Sequence, residues 1–243
     1  MIDVSDILSG LSDEQKSVCK DDENILLTAC PGSGKTRTLT HRLAYLTAIN
    51  PNSRKLNIAI TFTNRAANEI ASRIDDMEIE STNIWTGTIH QFCMQFIIRP
   101  YAMYSDRLSK GYSIIDEYTQ NEYVKSIVKQ LGLSIDQYDD PFQYPEVVVE
   151  YEKLLIANKE IDFDMILRFS CSLLTSYDFI CENIASILNS ILVDEFQDTN
   201  KLQYSVLSKI AKDKKSINLL NAINPFLEKR LLLFTKVLVS RWK

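Results

Sequence analysis

Asn24-Ile25-Leu26-Leu27-Thr28-Ala29-Cys30-Pro31-Gly32-Ser33-Gly34-Lys35-Thr36 is the stretch whose reading decides the fold. Its first five residues form a compact apolar run suited to a buried strand. The loop ACPGSG follows, and from Lys35 the positions Thr38, Leu39, Arg42, Leu43 and Leu46 put apolar residues three and four apart, as in a helix packed on a sheet. Strand, loop and helix in this order match a phosphate-binding loop, with Ala29 in the place of the usual first glycine. Gly32 and Gly34 let backbone N–H groups turn inward around phosphates with no Cβ in the way. Lys35 offers a point charge to the β- and γ-phosphates, and the Thr36 hydroxyl can ligate Mg²⁺ at a helix N-terminus that already favours anions.

Outward from this unit the pattern recurs. Upstream, residues 12–20 suit a short helix entered through Ser12 or Asp13 as N-cap. Downstream, residues 58–62 read as a second strand and residues 64–74 as a second helix. A third buried strand, Ile191-Leu192-Val193, ends in Asp194-Glu195. Strands alternating with helices, with polar residues at their carboxyl ends, predict a parallel α/β sheet whose ligand site lies along that edge. There a carboxylate at Asp194 can hold Mg²⁺ through its water shell, and Glu195 can polarise the water that attacks the γ-phosphate. Between these strands the character changes to amphipathic helices over 121–133, 145–160 and 163–176, with Pro141 and Pro145 interrupting the connection at 134–145. The expected architecture is a P-loop (RecA-like) parallel sheet flanked by helices, in two parts, 1–100 and 181–211, around an all-helical insertion at 101–180.

The 243 residues are 45% hydrophobic and 24% charged, a globular profile that excludes disorder across the whole chain. No apolar run reaches the roughly 18 residues of a membrane span, and the N-terminus lacks a signal-peptide pattern, so no membrane partner and a cytoplasmic location are expected. Five cysteines, odd in number and never in a C-x-x-C pair, read as reduced thiols. The net charge of −5 argues against nucleic acid only as an average. Residues 212–243 hold eight Lys/Arg and two Asp/Glu, leaving nineteen against thirty in the first 211. The basic, apolar tail differs from everything before it.

Five ordered motifs, LSDEQKSV, ACPGSGKTRTL, ITFTNRAANEI, TGTIHQFC and ILVDEFQDTN, resemble the first motor domain of the UvrD/Rep-type superfamily 1 DNA helicases over about residues 11–210. The resemblance implies an ATP-dependent DNA helicase that binds ATP, Mg²⁺ and single-stranded DNA or a duplex junction. It implies that Gln15 reads the adenine edge, that Ala29, Gly32, Ser33, Gly34, Lys35 and Thr36 cradle the phosphates and Mg²⁺, and that Arg37 lies against the base. Asp194 and Glu195 take the metal and general-base roles, Gln197 senses the γ-phosphate, and Gln203 lies in the next helix. Phe62, Thr63 and Asn64, with Thr86, Thr88 and His90, face single-stranded DNA. An aromatic near a strand exit offers a stacking platform, and small hydroxyls reach phosphates without net charge. Phe62 also fits a core position, and His90 a hydrogen-bonded structural histidine.

The sequence departs from the family pattern at Cys30, where a glycine is usual, and at Arg65, where lysine is usual. After residue 211 no GDxxQ is found, and KDKKSINLLNAINPFLEKRLLLFTKVLVSRWK stands instead. A second motor domain with its arginine fingers is not among the 243 residues, and a missing finger costs about 10³ to 10⁵ in rate. The expectation is ATP binding with little or no hydrolysis by this chain alone. Three readings follow: a helicase motor, an ATP- and DNA-binding module completed in trans by a second chain, or a decayed fragment. The run LEKRLLLFTKVLVSRWK at 227–243 admits a docked amphipathic helix, a strand replacing the missing one, or an exposed end.

Overall fold

The computed structural model describes residues 4–28, 32–79, 82–136, 139–212, 218–223 and 238–241. Ala29, Cys30, Pro31 and Trp242 lie outside the described residues, as does the tail apart from 218–223 and 238–241. In chain order the elements are α1 (Val4–Ile7), α2 (Asp13–Lys20), β1 (Ile25–Thr28), α3 (Lys35–Ala48), β2 (Leu56–Thr61), α4 (Asn64–Asp75), β3 (Ile84–Thr88) and α5 (Ile89–Phe92). A π-helical stretch (Cys93–Ile98) leads to α6 (Arg99–Tyr101), β4 (Ser113–Ile114), α7 (Glu117–Gln130), α8 (Pro145–Asn158), β5 (Glu160–Ile161) and α9 (Phe163–Ser176). The chain continues through α10 (Asp178–Ile187), β6 (Leu188–Val193), α11 (Lys201–Lys212), β7 (Asn218–Ile223) and β8 (Leu238–Arg241).

These elements fall into two units, one of residues Met1–Phe92 with Leu174–Lys243 and the other of Cys93–Leu173, against the 101–180 expected for the insertion. The first unit is built on a six-stranded sheet in the order β3-β2-β6-β7-β1-β8, with every neighbouring pair parallel. All strand exits therefore open on one edge. On one side α3 buries Leu39, Leu43 and Leu46, and α4 buries Ala67, Ile70 and Ile74, each a stripe at helical spacing. Leu39, Leu43, Leu46, Ile70 and Ile74 pack with Ile25, Leu27, Ala59 and Leu192 in one core. Truncating such a side chain, as in Leu39→Ala, costs about 2–5 kcal/mol.

Strand β6 begins three residues before the apolar run Ile191–Val193 that announces it. Its start, Leu188-Asn189-Ser190, is polar because Asn189 Nδ2 and Ser190 Oγ donate to Asn57 Oδ1 on β2, at 2.8 and 2.7 Å. Asn57 Nδ2 in turn donates to Thr47 Oγ1 at 3.1 Å. A satisfied buried network of this kind costs little and pins the β2–β6 register. The central position between β6 and β1 goes to β7, from the divergent tail. Ser190 to Val193 pair with Asn218 to Asn221, and Ile25 to Thr28 with Leu220 to Ile223. Of the run at 227–243, with its three open fates, the described residues Leu238–Arg241 form strand β8 beside β1, and β7 lies before that run.

In the second unit, α7 packs against α8 and a short parallel pair joins Ser113–Ile114 to Glu160–Ile161. Cys19, Cys93, Cys171 and Cys181 form no disulfide, and burial pushes the thiols of Cys19 and Cys93 up to about 12. Among the described residues no helix is long and apolar enough to cross a membrane.

Candidate nucleotide-binding site

The loop delivers its functional groups through the start of α3. Gly34 caps this helix in the left-handed region, with φ 88°, and supplies no side-chain cap. The positive end of the helix dipole is thus presented at the loop, where an anion is stabilised. A Cβ on Gly34 would sit in a conformation that L side chains rarely adopt and press on Gln15 Nε2 at 3.2 Å, so the backbone there favours glycine. Lys35, the next residue, is only 7% exposed.

Gln15 reaches the same loop from α2. Ser12 and Gln15 form a reciprocal capping box, the Ser12 N–H donating to Gln15 Oε1 at 3.0 Å and the Gln15 N–H to Ser12 Oγ at 3.3 Å. Gln15 Nε2 donates to the Ser33 carbonyl at 3.4 Å. A primary amide carries two donors and two acceptor lone pairs, so these bonds leave one of each for a ligand.

Asp194 arrives from the end of β6. Its backbone N–H donates to the Ile60 carbonyl at 2.9 Å, extending the ladder to β2. Thr36 Oγ1 donates to Asp194 Oδ2 at 3.0 Å, a contact between residues 158 apart in sequence. Because β7 separates β1 from β6, the two strand ends stand about 9–10 Å apart, and the first turn of α3 spans the gap. Asp194 is 5% exposed, and burial raises its carboxyl above the ordinary carboxylate range. The charge of Glu195 adds to the rise, while the Thr36 hydroxyl and Lys35 oppose it. Glu195 follows in the left-handed region at φ 50°, and Gln197 Nε2 donates to Glu195 Oε2.

These groups border a cleft of about 650 Å³ lined by Gly32, Gly34, Lys35, Thr36, Arg37 and Glu195. Its far wall is one that sequence reasoning missed: Thr40 and His41 on α3 with Arg73, Asp76 and Met77 at the end of α4. Part of the signal was available, since positions 36, 37, 40 and 41 share one helical face. His41 Nδ1 bonds the Ile7 carbonyl at 2.5 Å, and burial lowers its pKa.

The residues expected to face DNA cluster at the exits of β2 and β3, on the same sheet edge. Phe62 is half-buried; Thr63 and Asn64 are exposed, with Thr63 Oγ accepting the Ala66 N–H at 3.1 Å as cap of α4. Thr86 and His90 are half-buried. Thr88 is buried, its N–H donating to Gln91 Oε1 at 2.8 Å and its Oγ accepting the Gln91 N–H at 3.3 Å. Gly87 is needed beneath the Trp85 ring, which a Cβ would meet at 2.5 Å. Gln203 lies in α11 and exchanges capping bonds with Asn200, both at 2.9 Å.

A glycine loop entering a helix, a lysine and threonine in its first turn, and an aspartate at the end of a parallel strand two places away define a P-loop (RecA-like) α/β domain. The chain belongs to the UvrD/REP helicase N-terminal domain family, whose model matches residues 11–144 and 137–222. The match runs past residue 211, where the sequence pattern predicts a break, and into β7. The chain is 31% identical over 238 residues to the ATP-dependent DNA helicase PcrA of Bacillus subtilis (strain 168), a match covering 85% of this chain and 32% of that protein. It is 30% identical over 241 residues to DNA helicase II of Salmonella typhimurium, covering 87% and 33%. It spans about one third of the length of these relatives.

Proposed function

We propose that this chain is the ATP-binding motor domain of a DNA helicase, holding ATP with Mg²⁺ in the cleft and single-stranded DNA along the neighbouring strand exits. The observation that carries the reading is the 3.0 Å bond from Thr36 to Asp194, which brings the two halves of a phosphate-and-metal site together. Hydroxyl and carboxylate oxygens suit Mg²⁺, which is held by one or two protein oxygens, phosphates and water. Among the described residues no group of three or more His, Cys, Asp or Glu could hold a metal unaided, which fits that mode. When bound, Mg²⁺ neutralises charge on the phosphates.

The chain's own residues do the rest. Lys35 and the N-terminus of α3 hold the phosphates, Gln15 and Arg37 receive the base, and the Glu195 carboxylate accepts the proton of the attacking water. Phe62, Thr63 and Asn64, with Thr86, Thr88 and His90, form the DNA-facing edge, next to the nucleotide because β2 adjoins β6. The relatives named as ATP-dependent DNA helicases support this assignment. The test is ATP binding and ATPase activity with and without single-stranded DNA, beside Lys35→Ala. DNA-stimulated turnover that Lys35→Ala abolishes supports a working motor. Binding without turnover supports a module completed in trans, and no Mg²⁺-dependent ATP binding overturns the reading.

A further inference from the structure

We propose that Gln197 is a positioning residue that holds the Glu195 carboxylate in place, rather than a reader of the γ-phosphate; this rests on the assignment of Glu195 to the attacking water. Glu195 lines the cleft beside Lys35 and Thr36, whereas Gln197 is not part of that wall. One of its side-chain amide N–H groups donates to Glu195 Oε2. The backbone between them is built to keep that arrangement. Glu195 is a non-glycine residue at φ 50° and ψ 42°, a left-handed conformation that L residues rarely adopt. The single turn Phe196–Asp198 then brings Gln197 back toward it, closed by the Asp198 N–H donating to the Glu195 carbonyl at 2.9 Å. Phe196 anchors the turn, buried and edge-on to Tyr204 at 6.3 Å. From the other side the Glu195 N–H donates to Asp194 Oδ1 at 3.2 Å.

The chemical consequence is directional. With Oε2 tied to an amide, the other oxygen of Glu195 is the one presented to water, and the carboxylate does not have to be ordered at the moment of proton transfer. A residue acting this way changes the rate of cleavage without changing how tightly the phosphates are held.

The experiment is a double-mutant cycle on Glu195→Gln and Gln197→Met, the latter keeping side-chain length while removing the donor. It reads equilibrium binding of ATP and of ADP with Mg²⁺, and single-turnover cleavage of labelled ATP with the chain in excess. Gln197→Met is expected to slow cleavage about tenfold or more while both affinities stay within about twofold, and to cost nothing further once Glu195 is Gln. A loss of ATP affinity relative to ADP, an equal loss of rate on both backgrounds, or no change overturns the proposal. A second measurement is independent of turnover. The side-chain amide protons of Gln197, identified in NMR spectra by their disappearance in Gln197→Met, should shift in Glu195→Gln, and an unmoved resonance overturns the proposal. A chain that binds neither nucleotide would overturn the assignment of the cleft, while the amide resonance would still report whether the bond exists.

Discussion

Two buried aspartates, Asp194 in the sheet unit, proposed to serve the nucleotide site, and Asp162 in the helical unit, look alike by burial alone. They are 5% and 6% exposed. Asp162 accepts three hydrogen bonds from protein donors. Tyr151 OH donates to Oδ2 at 3.0 Å, Gln120 Nε2 to the same oxygen at 3.4 Å, and the Met165 N–H to Oδ1 at 2.8 Å as a cap at the start of α9. Nearby, Tyr123 OH and Asn158 Nδ2 close the adjacent Glu160 carboxylate. Among the described residues Asp194 accepts two, from the Thr36 hydroxyl and the Glu195 N–H, and stands beside the cleft formed by Lys35, Thr36 and Glu195. What separates the two is how much of the carboxylate's hydrogen-bonding capacity the fold leaves for something else. Asp162 spends its capacity on holding helices together, and Asp194 keeps part of it.

The largest expected effect tests the structural member. Asp162→Ala removes a helix cap and leaves the Tyr151 hydroxyl without its acceptor, for a loss of about 2–4 kcal/mol in urea unfolding. It leaves ATP–Mg²⁺ binding within about twofold wherever the protein remains folded; a selective loss of nucleotide affinity would erase the distinction. Next come Lys35→Ala and Asp194→Ala, each expected to weaken ATP–Mg²⁺ binding by about tenfold to a hundredfold in calorimetric titration, as for a charged hydrogen bond to phosphate or metal. Tyr151→Phe should cost about 1 kcal/mol and leave nucleotide affinity unchanged.

The smallest effect is a pH dependence. Because burial holds the Asp194 carboxyl above its ordinary value of 3.8, the native state binds this proton more tightly than the unfolded chain. The stability so contributed is fully present below 3.8 and is lost as pH rises through the native value. Thermal melts should therefore show Asp194→Asn gaining on the wild type as the pH rises, with the gap closing toward acid. A constant gap would mean that the carboxylate carries no burial penalty.

Much of the sheet unit is legible in the order of its residues. The apolar run at 25–28, the glycines at 32 and 34, and the stripes of α3 and α4 are local signals, because backbone freedom and helical period are properties of adjacent residues. The side-chain donors of Asp162 are not legible, since Gln120 and Tyr151 reach it only when helices pack, whereas the Met165 cap is local. The far wall of the cleft is hidden for the same reason, with His41 and Arg73 on separate helices. The polar opening of β6 reads as a turn until Asn57 is set opposite it. The capping pairs Ser12 with Gln15, Thr88 with Gln91 and Asn200 with Gln203 are within reach, each being a small polar residue followed three positions later by glutamine.

The sequence by itself determined the phosphate-binding loop, the alternation of strands and helices, and the family, because each rests on residue types at short fixed spacings. Tertiary structure alone decided that Asn218–Ile223, in a tail that reads as foreign, enters the centre of the sheet between β1 and β6. A six-residue segment has no local signature of its neighbours, since strand pairing is settled by register and packing against whatever lies alongside. The same packing set Thr36 against Asp194, turning two separate motifs into one site.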